Sequence, residues 1–406
     1  MRISDDALAK GLLTLTNWFG GHTMWHCGMA MSMEASFEES YAIRAMLRAE
    51  QTLHLGRLHA VAHAASDRNL LFQSIHEEDM FDMGYGYNKD AAGMVNCSCV
   101  ADASSVASAV VETATAVPGY PENSSYLDSV RRFIEHVLQN YLTETGVIGV
   151  GILNHKVNPM KEYWCANALF TETMLLFAQA TGETKYYDAA IAPCEFLATF
   201  DYEHTDWSEW DTSPSEVILY TSSGILAALK SDEMKKRLNK PPVGVLMSSG
   251  HAESEAAAEG QAMNRVTGTE RRGDVDFAGK TVYDLLCLRW GEFADWLAKN
   301  QNPDGIYTPP TTAGARTYEP GLTWTILEAE ACGLTDERLN ANIARQLNGL
   351  NTNEAKLYFG LYSNPFPTSL AYLSFAAEAQ RRMRQDEAAF TCALERAMQN
   401  PSGLVW

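Results

Sequence analysis

The chain has 406 residues, of which 46% are hydrophobic and 20% are charged, and its formal net charge is -20 at pH 7. These values are ordinary for a globular protein with a large core. The acidic balance argues against nucleic acid and membrane surfaces as partners, because both select for clusters of Lys and Arg.

The eight cysteines are scattered through apolar sequence in a chain much larger than a disulfide scaffold, which favours reduced thiols. The N-terminus lacks a basic region followed by an apolar run, and no apolar stretch is long enough to cross a membrane. The sequence as written therefore predicts a cytoplasmic protein, and a chain trimmed of a secretion signal would look the same.

The first predicted helix covers residues 4–18, with Ser4 as its N-cap and two acidic residues in its first turn. Residues 24–65 favour helix throughout. Residues 69–93 combine acidic, aromatic and glycine residues, which is typical of an ordered loop or the wall of a cleft. Helices are next predicted at residues 100–117 and 126–142, the second capped by Asn123 or Ser124.

Residues 149–176 form the segment around which the rest of the chain is organised. A loop of hydrogen-bonding side chains ends at Pro159, which can open a helix because its missing N–H is not needed in the first turn. The helix that follows is apolar around most of its circumference, which predicts burial on most sides. It ends at Gly182, and a second helix begins at Lys185.

Further helices are predicted at residues 190–200, 213–229, 252–266, 280–299, 322–332, 335–350 and 368–398. Strand alternation is limited to short pieces such as residues 243–247. Helix pairs recur roughly every 40 to 60 residues without a change in composition. The sequence predicts one domain over residues 1–406, an all-α (α/α) toroid or barrel of six or seven helical hairpins. A helical solenoid is the alternative, but it requires closer repeat similarity.

In such a ring, the N-terminal ends of the inner helices converge on one face and carry positive dipole and free N–H groups. Residues at those ends are therefore the candidates for a functional site. They are Asp102, Asn154, His155, Lys156, Glu162, Glu216, Tyr220, His251, Glu253, Glu255, Arg316, Tyr318 and Glu319.

Asn154 and His155 give the most specific of these signals. A uronic acid is cleaved by β-elimination when Asn, His or Arg neutralises its carboxylate and a Tyr or His removes the C5 proton. Asn154 supplies a neutraliser, with Arg316 as a second one, and His155 supplies a base. Tyr220 is a candidate proton donor about one turn inside a later helix. The alternative is that Asn154 and His155 only satisfy backbone groups in a turn.

Two other segments carry groups suited to a sugar site. Trp207 and Trp210 stand among acidic residues that end at Glu216, and aromatic faces beside carboxylates bind sugars; core packing is the alternative. His251 precedes Glu253 and Glu255, which cannot share one helical face, so one of them can face a pocket while the other is solvated. A solvated helix start is the alternative there.

Metal and cofactor motifs are weak. His22 and His26 stand four residues apart beside Cys27, but neither the glutamate of a zinc protease nor a CxxC pair accompanies them. Neither a phosphate-binding loop nor a dinucleotide-binding fingerprint occurs. We expect no metal and no cofactor.

Residues 163–190, the segment that begins at His251 and the run that begins at Trp296 resemble (α/α)-barrel carbohydrate-active enzymes, which include unsaturated glucuronyl hydrolases and toroidal uronate lyases such as alginate lyases. The lyases have an Asn-His pair followed by Tyr-Trp, which Asn154, His155, Tyr163 and Trp164 resemble at a longer spacing. The hydrolases have two aspartates at inner helix starts. Asp102 matches the first, whereas residues 154–162 contain no aspartate for the second.

The resemblance and the residues together predict a lyase that cleaves a glycosidic bond at a uronic acid. In this hypothesis Asn154, His155, Tyr220 and His251 are catalytic. The saccharide is bound by Asp102, Trp164, Trp207, Trp210, Glu216, Glu255, Arg316 and Tyr318. A glycoside hydrolase that pairs Asp102 with Glu162, Glu216 or Glu255 is the second hypothesis. A helical interaction protein without catalytic activity is the third.

Overall fold

A computed structural model describes residues 2–19, 36–75, 99–151, 160, 162–200, 213–242, 279–307, 317–353, 358–362 and 364–399. These residues form helices connected by turns. Three isolated β-bridges occur between the helices, and no strand is found among the described residues. Within the same ranges, none of the helices combines the length and the apolar character that a membrane crossing requires.

The helices in the first half are α1 (Asp5–Trp18), α2 (Ser36–Leu53), α3 (Arg57–Ile75), α4 (Val100–Ala116), α5 (Asn123–Asn140), α6 (Trp164–Thr181), α7 (Lys185–Ala189) and α8 (Ile191–Thr199). Those in the second half are α9 (Pro214–Lys230), α10 (Asp232–Leu238), α11 (Val282–Asn300), α12 (Leu322–Ala331), α13 (Leu339–Leu350), α14 (Pro365–Gln385) and α15 (Glu387–Gln399). A short 3-10 turn, Glu319–Gly321, leads directly into α12.

Six helices form an inner ring in which each packs against the next, in the order α2, α4, α6, α9, α12 and α14, and α14 packs against α2. The outer layer includes α1, α3, α5, α8, α11, α13 and α15, each of which contacts one or more ring helices or its outer neighbours. The protein is therefore an all-α toroid with two layers of helices.

The inner helices run in the same direction. Near their N-terminal ends, the rings of Phe37 on α2 and Phe366 on α14 lie 5.5 Å apart. Near their C-terminal ends, Arg48 on α2 forms an ion pair of 2.5 Å with Glu328 on α12. The ring thus has an N-terminal face and a C-terminal face, named after the helix ends that meet there.

Inner and outer helices differ in how they are buried. The outer helix α5 buries a single stripe that includes Tyr126, Val130, Phe133 and Val137, the spacing of an amphipathic helix. The inner helix α6 is buried on nearly all sides from Trp164 to Ala178, as its apolar sequence predicts. Small residues let the inner helices approach closely, which is why the central ring can close.

Several predicted helix ends are confirmed by capping contacts. The side chain of Ser4 accepts a hydrogen bond from the N–H of Ala7 at 3.2 Å and caps α1. Ser213 caps α9 in the same way, through the N–H of Glu216 at 3.1 Å. Gly182 ends α6 in the left-handed conformation at φ 76°. These features are local in sequence, so a single segment is enough to predict them.

Other predicted boundaries were wrong. The helix expected to open at Pro159 begins at Trp164, because Glu162 forms an antiparallel bridge with Gly149 and Tyr163 is extended. The continuous helix expected up to residue 65 is broken after Leu53, where His54 and Gly56 adopt positive φ angles of 50° and 70°. Pro159 itself lies outside the described residues.

Three other differences concern helix length. The helix α3 continues to Ile75, so the first part of the predicted loop at residues 69–93 is helical. The helix predicted at residues 126–142 starts at Asn123, and that residue therefore lies inside α5 instead of capping it. The helix predicted at residues 368–398 is two helices, separated at Asp386. The predicted helix at residues 252–266 and the strand piece at 243–247 lie outside the described residues.

Candidate functional site

Asp102 and Glu216 occupy equivalent positions at the start of two inner helices. Asp102 is in the first turn of α4, where its N–H bonds to the Sγ atom of the N-cap Cys99 at 3.5 Å. Glu216 is in the first turn of α9 behind its N-cap Ser213. Both carboxylates are three residues after the cap, where the helix dipole stabilises negative charge.

Aromatic side chains from four parts of the ring meet at the same face. The ring of Tyr220 on α9 lies 5.5 Å from that of Tyr318, which precedes α12, and 6.4 Å from that of Tyr41 on α2. Tyr318 in turn packs edge to face against Phe366 at the start of α14, with 5.4 Å between ring centres. These contacts bring together helices that are far apart in sequence, as expected for a toroid.

The helices that carry Asp102 and Glu216 both pack against α6, and the charges of the two acids affect the same groups. Burial raises the pKa of the Tyr163 phenol and of the Cys165 thiol well above their usual values, and the charges of Glu216 and Asp102 raise both further. The pKa of Tyr318 is raised mainly by burial and next by Glu216, with Asp102 adding to the shift. Both carboxylates therefore lie near the start of α6 and near Tyr318.

The raised pKa values define what these groups can do. Tyr163, Tyr220 and Tyr318 remain protonated at neutral pH, so they can donate hydrogen bonds but do not act as phenolate bases. The thiols of Cys99 and Cys165 also remain protonated, because burial raises their pKa values, and a thiol nucleophile needs the opposite shift. The carboxyl groups are thus the acid–base groups that the described part of this face offers.

Of the predicted site residues, Asp102, Glu216, Tyr220 and Tyr318 lie together at the N-terminal face. Trp164, expected to bind a saccharide, is the first residue of α6, and its side chain is packed in the core at 1% exposure, so its ring is not open for stacking. Glu319, another candidate, is buried and accepts a hydrogen bond from the N–H of Tyr307 at 3.1 Å. The remaining residues of the predicted catalytic and saccharide-binding sets lie outside the described residues; they are Asn154, His155, Trp207, Trp210, His251, Glu255 and Arg316.

Cys165 is a neighbour of the site that was not predicted, and Tyr163 was predicted only through its match to the Tyr-Trp pair of the lyases. Tyr163 is the extended N-cap of α6. Its position at the helix start was not recognised, because the sequence predicted that the helix begins at Pro159. Glu162, a candidate partner of Asp102, bonds to Thr145 at 2.5 Å beside the bridge to Gly149. This contact gives Glu162 a structural role in the loop that precedes α6.

A cavity of about 460 Å³ lies at the C-terminal face, lined by residues of the ring helices α2, α4, α6, α9 and α12 and of the short helices α7 and α10. Its charged side chains bind one another. Arg44, with 2% of its side chain exposed, contacts Glu112 at 2.9 Å and Glu172 at 2.6 Å. Its guanidinium also lies 5.2 Å from the centre of the Trp324 ring.

The two faces of the ring suggest different roles. The cavity at the C-terminal face is partly open, and the ion pairs inside it are typical of packing between ring helices. The N-terminal face combines two carboxylates, raised phenol pKa values and positive helix ends, which are the features expected of a reactive site. We therefore place the candidate site at the N-terminal face.

Within the described ranges, no group of three or more His, Cys, Asp or Glu side chains is arranged to hold a metal ion. Comparison with protein-family models gives no match for this chain. A search of curated proteins likewise finds no match.

Proposed function

We propose that the protein is a carbohydrate-active enzyme that hydrolyses a glycosidic bond at the N-terminal face of the ring, with Asp102 and Glu216 as its carboxylate pair. The observation that supports this most directly is geometric: Asp102 and Glu216 lie in the first turns of α4 and α9, and both helices pack against α6. The charges of both acids also raise the pKa values of Tyr163, Cys165 and Tyr318. Two carboxylates directed at one site are what glycoside hydrolysis needs.

The two acids would have different tasks. One, as a carboxylic acid, protonates the glycosidic oxygen as the bond to the leaving sugar breaks. The other, as a carboxylate, either activates a water molecule or attacks the anomeric carbon. The separation of the carboxyl groups in a substrate complex decides between these routes, since about 5 Å fits attack and about 6.5 to 9.5 Å leaves room for water.

The tyrosines would bind the sugar. Tyr318 is partly exposed and packs against Tyr220 and Phe366, so its ring is held in one orientation. An aromatic ring held in this way can stack on the C–H face of a sugar, and its hydroxyl can donate to a sugar oxygen. Because Tyr163 and Tyr220 stay protonated, they add further hydrogen-bond donors in a dry setting.

Elimination at a uronic acid is the second candidate, and Tyr220 is the observation that favours it. Burial raises the pKa of its phenol, so Tyr220 carries the proton that a leaving oxygen would need. The predicted neutralisers Asn154 and Arg316 and the predicted base His155 belong to segments outside the described residues. The described groups thus favour hydrolysis, which needs only the two carboxylates.

A substrate screen separates these functions. Neutral and uronate-containing oligosaccharides are incubated with the full chain, and products are followed both by reducing-sugar release and by near-ultraviolet absorbance. Hydrolysis gives reducing ends without the chromophore of a 4,5-unsaturated product, whereas elimination gives both. Cleavage of neither class would contradict an enzymatic role on these sugars and would favour the helical interaction protein.

A further inference from the structure

The C-terminal face also carries a basic cleft, which adjoins the cavity around Arg44 and shares Arg48, Lys230 and Glu328 with it. It has a volume of about 640 Å³ and lies between the ends of α2, α9, α12 and α14 and the N-terminal segment. Five cationic side chains and two carboxylates line it. The cations are Arg2, Arg48, Lys230, Arg381 and Arg384.

This concentration of positive charge is unusual for a chain with a net charge of -20. The two lining carboxylates are already engaged. Glu328 pairs with both Arg48 and Lys230, and Glu330 pairs with Arg2. Outside the lining, the buried Glu378 binds Arg381 and Arg382 and lies 3.6 Å from Arg2. The cations around the cleft still exceed the acids in number.

Compensation of helix dipoles accounts for only part of this cluster. Lys230 ends α9, and Arg382 and Arg384 lie in the last turn of α14, where cations are favourable in any protein. Arg2, however, precedes α1 and therefore faces no C-terminal end of its own helix.

Two donors in the cleft have no described acceptor. Arg384 is exposed, and it has no ion pair among the described residues. The Nε atom of Arg48 is buried, and no hydrogen-bond partner for it is found within those same ranges. Of these two groups, the exposed guanidinium of Arg384 is the one that an anionic oxygen in the cleft can reach.

We propose that this cleft binds a small anion with several charged oxygens, that is, a polycarboxylate or a phosphorylated compound. Guanidinium groups bind carboxylate and phosphate oxygens in pairs, and Lys230 adds a point charge at one end of the cleft. The cleft volume suits a molecule about the size of a small sugar phosphate. This site is independent of the function proposed for the opposite face.

Calorimetric titration of the full chain with citrate and with inorganic pyrophosphate, in buffer free of divalent metals, tests the proposal. We expect at least one anion to bind, with an affinity that falls as salt is added, because the contacts are ionic. Binding of citrate alone indicates a carboxylate ligand, and binding of pyrophosphate alone indicates a phosphate ligand. Binding of both indicates recognition of charge.

Three single variants locate the site. Arg384→Gln and Lys230→Gln should each weaken binding by about five- to tenfold. Arg131→Gln, which removes a partly exposed arginine from the outer helix α5, should leave binding unchanged. Circular dichroism establishes that each variant is folded. The proposal is overturned if neither anion binds at millimolar concentration, or if Arg131→Gln weakens binding as much as the two cleft variants do.

Discussion

The two faces of the helical ring use charge in opposite ways. At the C-terminal face, Arg44 lies between Glu112 and Glu172, and Arg48 lies beside Glu328, so the buried charges are held in ion pairs between ring helices. At the N-terminal face, acids adjoin phenols and thiols whose pKa values they raise. The first arrangement links the ring helices, and the second resembles an acid–base site.

The largest expected effect follows from this contrast. Asp102→Asn and Glu216→Gln should each lower kcat/KM on the cleaved saccharide by about 10² to 10⁴, since each removes a group required for proton transfer or attack. The matched control is Glu112→Gln, which changes a carboxylate on the same helix as Asp102 but at the opposite face. Steady-state kinetics of the three variants provide the comparison.

Activity close to wild type is expected for Glu112→Gln, since Arg44 keeps its contact with Glu172. Comparable losses in all three variants would mean that the chemistry is not confined to the N-terminal face. Wild-type rates for both Asp102→Asn and Glu216→Gln would remove the proposed carboxylate pair.

The next effect concerns stability at the C-terminal face. Burial lowers the pKa of Arg44, but Glu112 and Glu172 outweigh this and hold its pKa well above the usual value. Arg44→Met removes the cation and leaves Glu172 buried beside an apolar side chain. We expect a loss of about 3 to 5 kcal/mol in the free energy of unfolding, measured in urea.

A surface ion pair is the control for that measurement. Arg338 is 55% exposed and pairs with Asp295 and Asp336. Arg338→Met should therefore cost no more than about 1 kcal/mol. Replacing Arg44, Glu112 and Glu172 together by apolar residues should recover part of the loss, because no uncompensated charge remains. If Arg44→Met and Arg338→Met prove equally mild, the buried network does not stabilise the ring.

The third expected effect is a dependence of stability on pH. Burial alone would raise the pKa of Glu328, but Arg48 and Lys230 lower it to about 2. Since a glutamate in the unfolded chain has a pKa of about 4.3, the unfolded state takes up the proton first as the pH falls. The contribution of Glu328 is therefore complete above about pH 4.5 and is lost as the pH falls towards 2.

Urea unfolding of the wild type and of Glu328→Gln at several pH values checks this. The difference in free energy of unfolding between the two proteins should be on the order of 3 kcal/mol near neutral pH and should shrink below about pH 4. Glu233→Gln changes an exposed acid at the same face, whose pKa is also lowered by Lys236 and Arg237. Its trend should be much smaller, because water screens exposed ion pairs. A difference that stays constant from pH 7 to pH 2 would contradict the role given to this ion pair.

The helices were predictable because their signals are local. The caps Ser4 and Ser213 and the left-handed Gly182 are each read from a few neighbouring residues. The start of α6 was not predictable in this way, because it depends on a bridge between Gly149 and Glu162, which are not neighbours in sequence. Local patterns thus define most helices, and contacts between distant residues decide where some of them begin.

The candidate site was predictable only in outline. Asp102 and Asp284 each stand three residues after the N-cap of a helix, and the sequence does not distinguish them. Asp284 belongs to the outer helix α11 and closes a capping box with Thr281. Asp102 belongs to the inner ring, next to buried thiols and phenols. Their different surroundings arise only when the ring closes.

The same reason explains why the C-terminal face was missed. Arg44 and Glu172 are separated by 128 positions, and each occurs in an ordinary helical sequence. The cavity at that face is lined by residues of five ring helices, which no sequence segment contains together.

The smallest effects test the ring that separates the two faces. A Cβ atom added at Gly224 on α9 would lie 2.5 Å from the backbone oxygen of Ala168 on α6, so Gly224→Ala forces two inner helices apart. A Cβ atom at Gly291 on the outer helix α11 would meet nothing within 4 Å. Urea unfolding should show a loss of about 1 to 3 kcal/mol for Gly224→Ala and a gain of up to about 1 kcal/mol for Gly291→Ala. Alanine favours a helix at both positions, so changes of opposite sign in the free energy of unfolding would show the effect of the close approach of α6 and α9. Stabilisation of both variants would mean that the inner ring is packed more loosely than its helix contacts indicate.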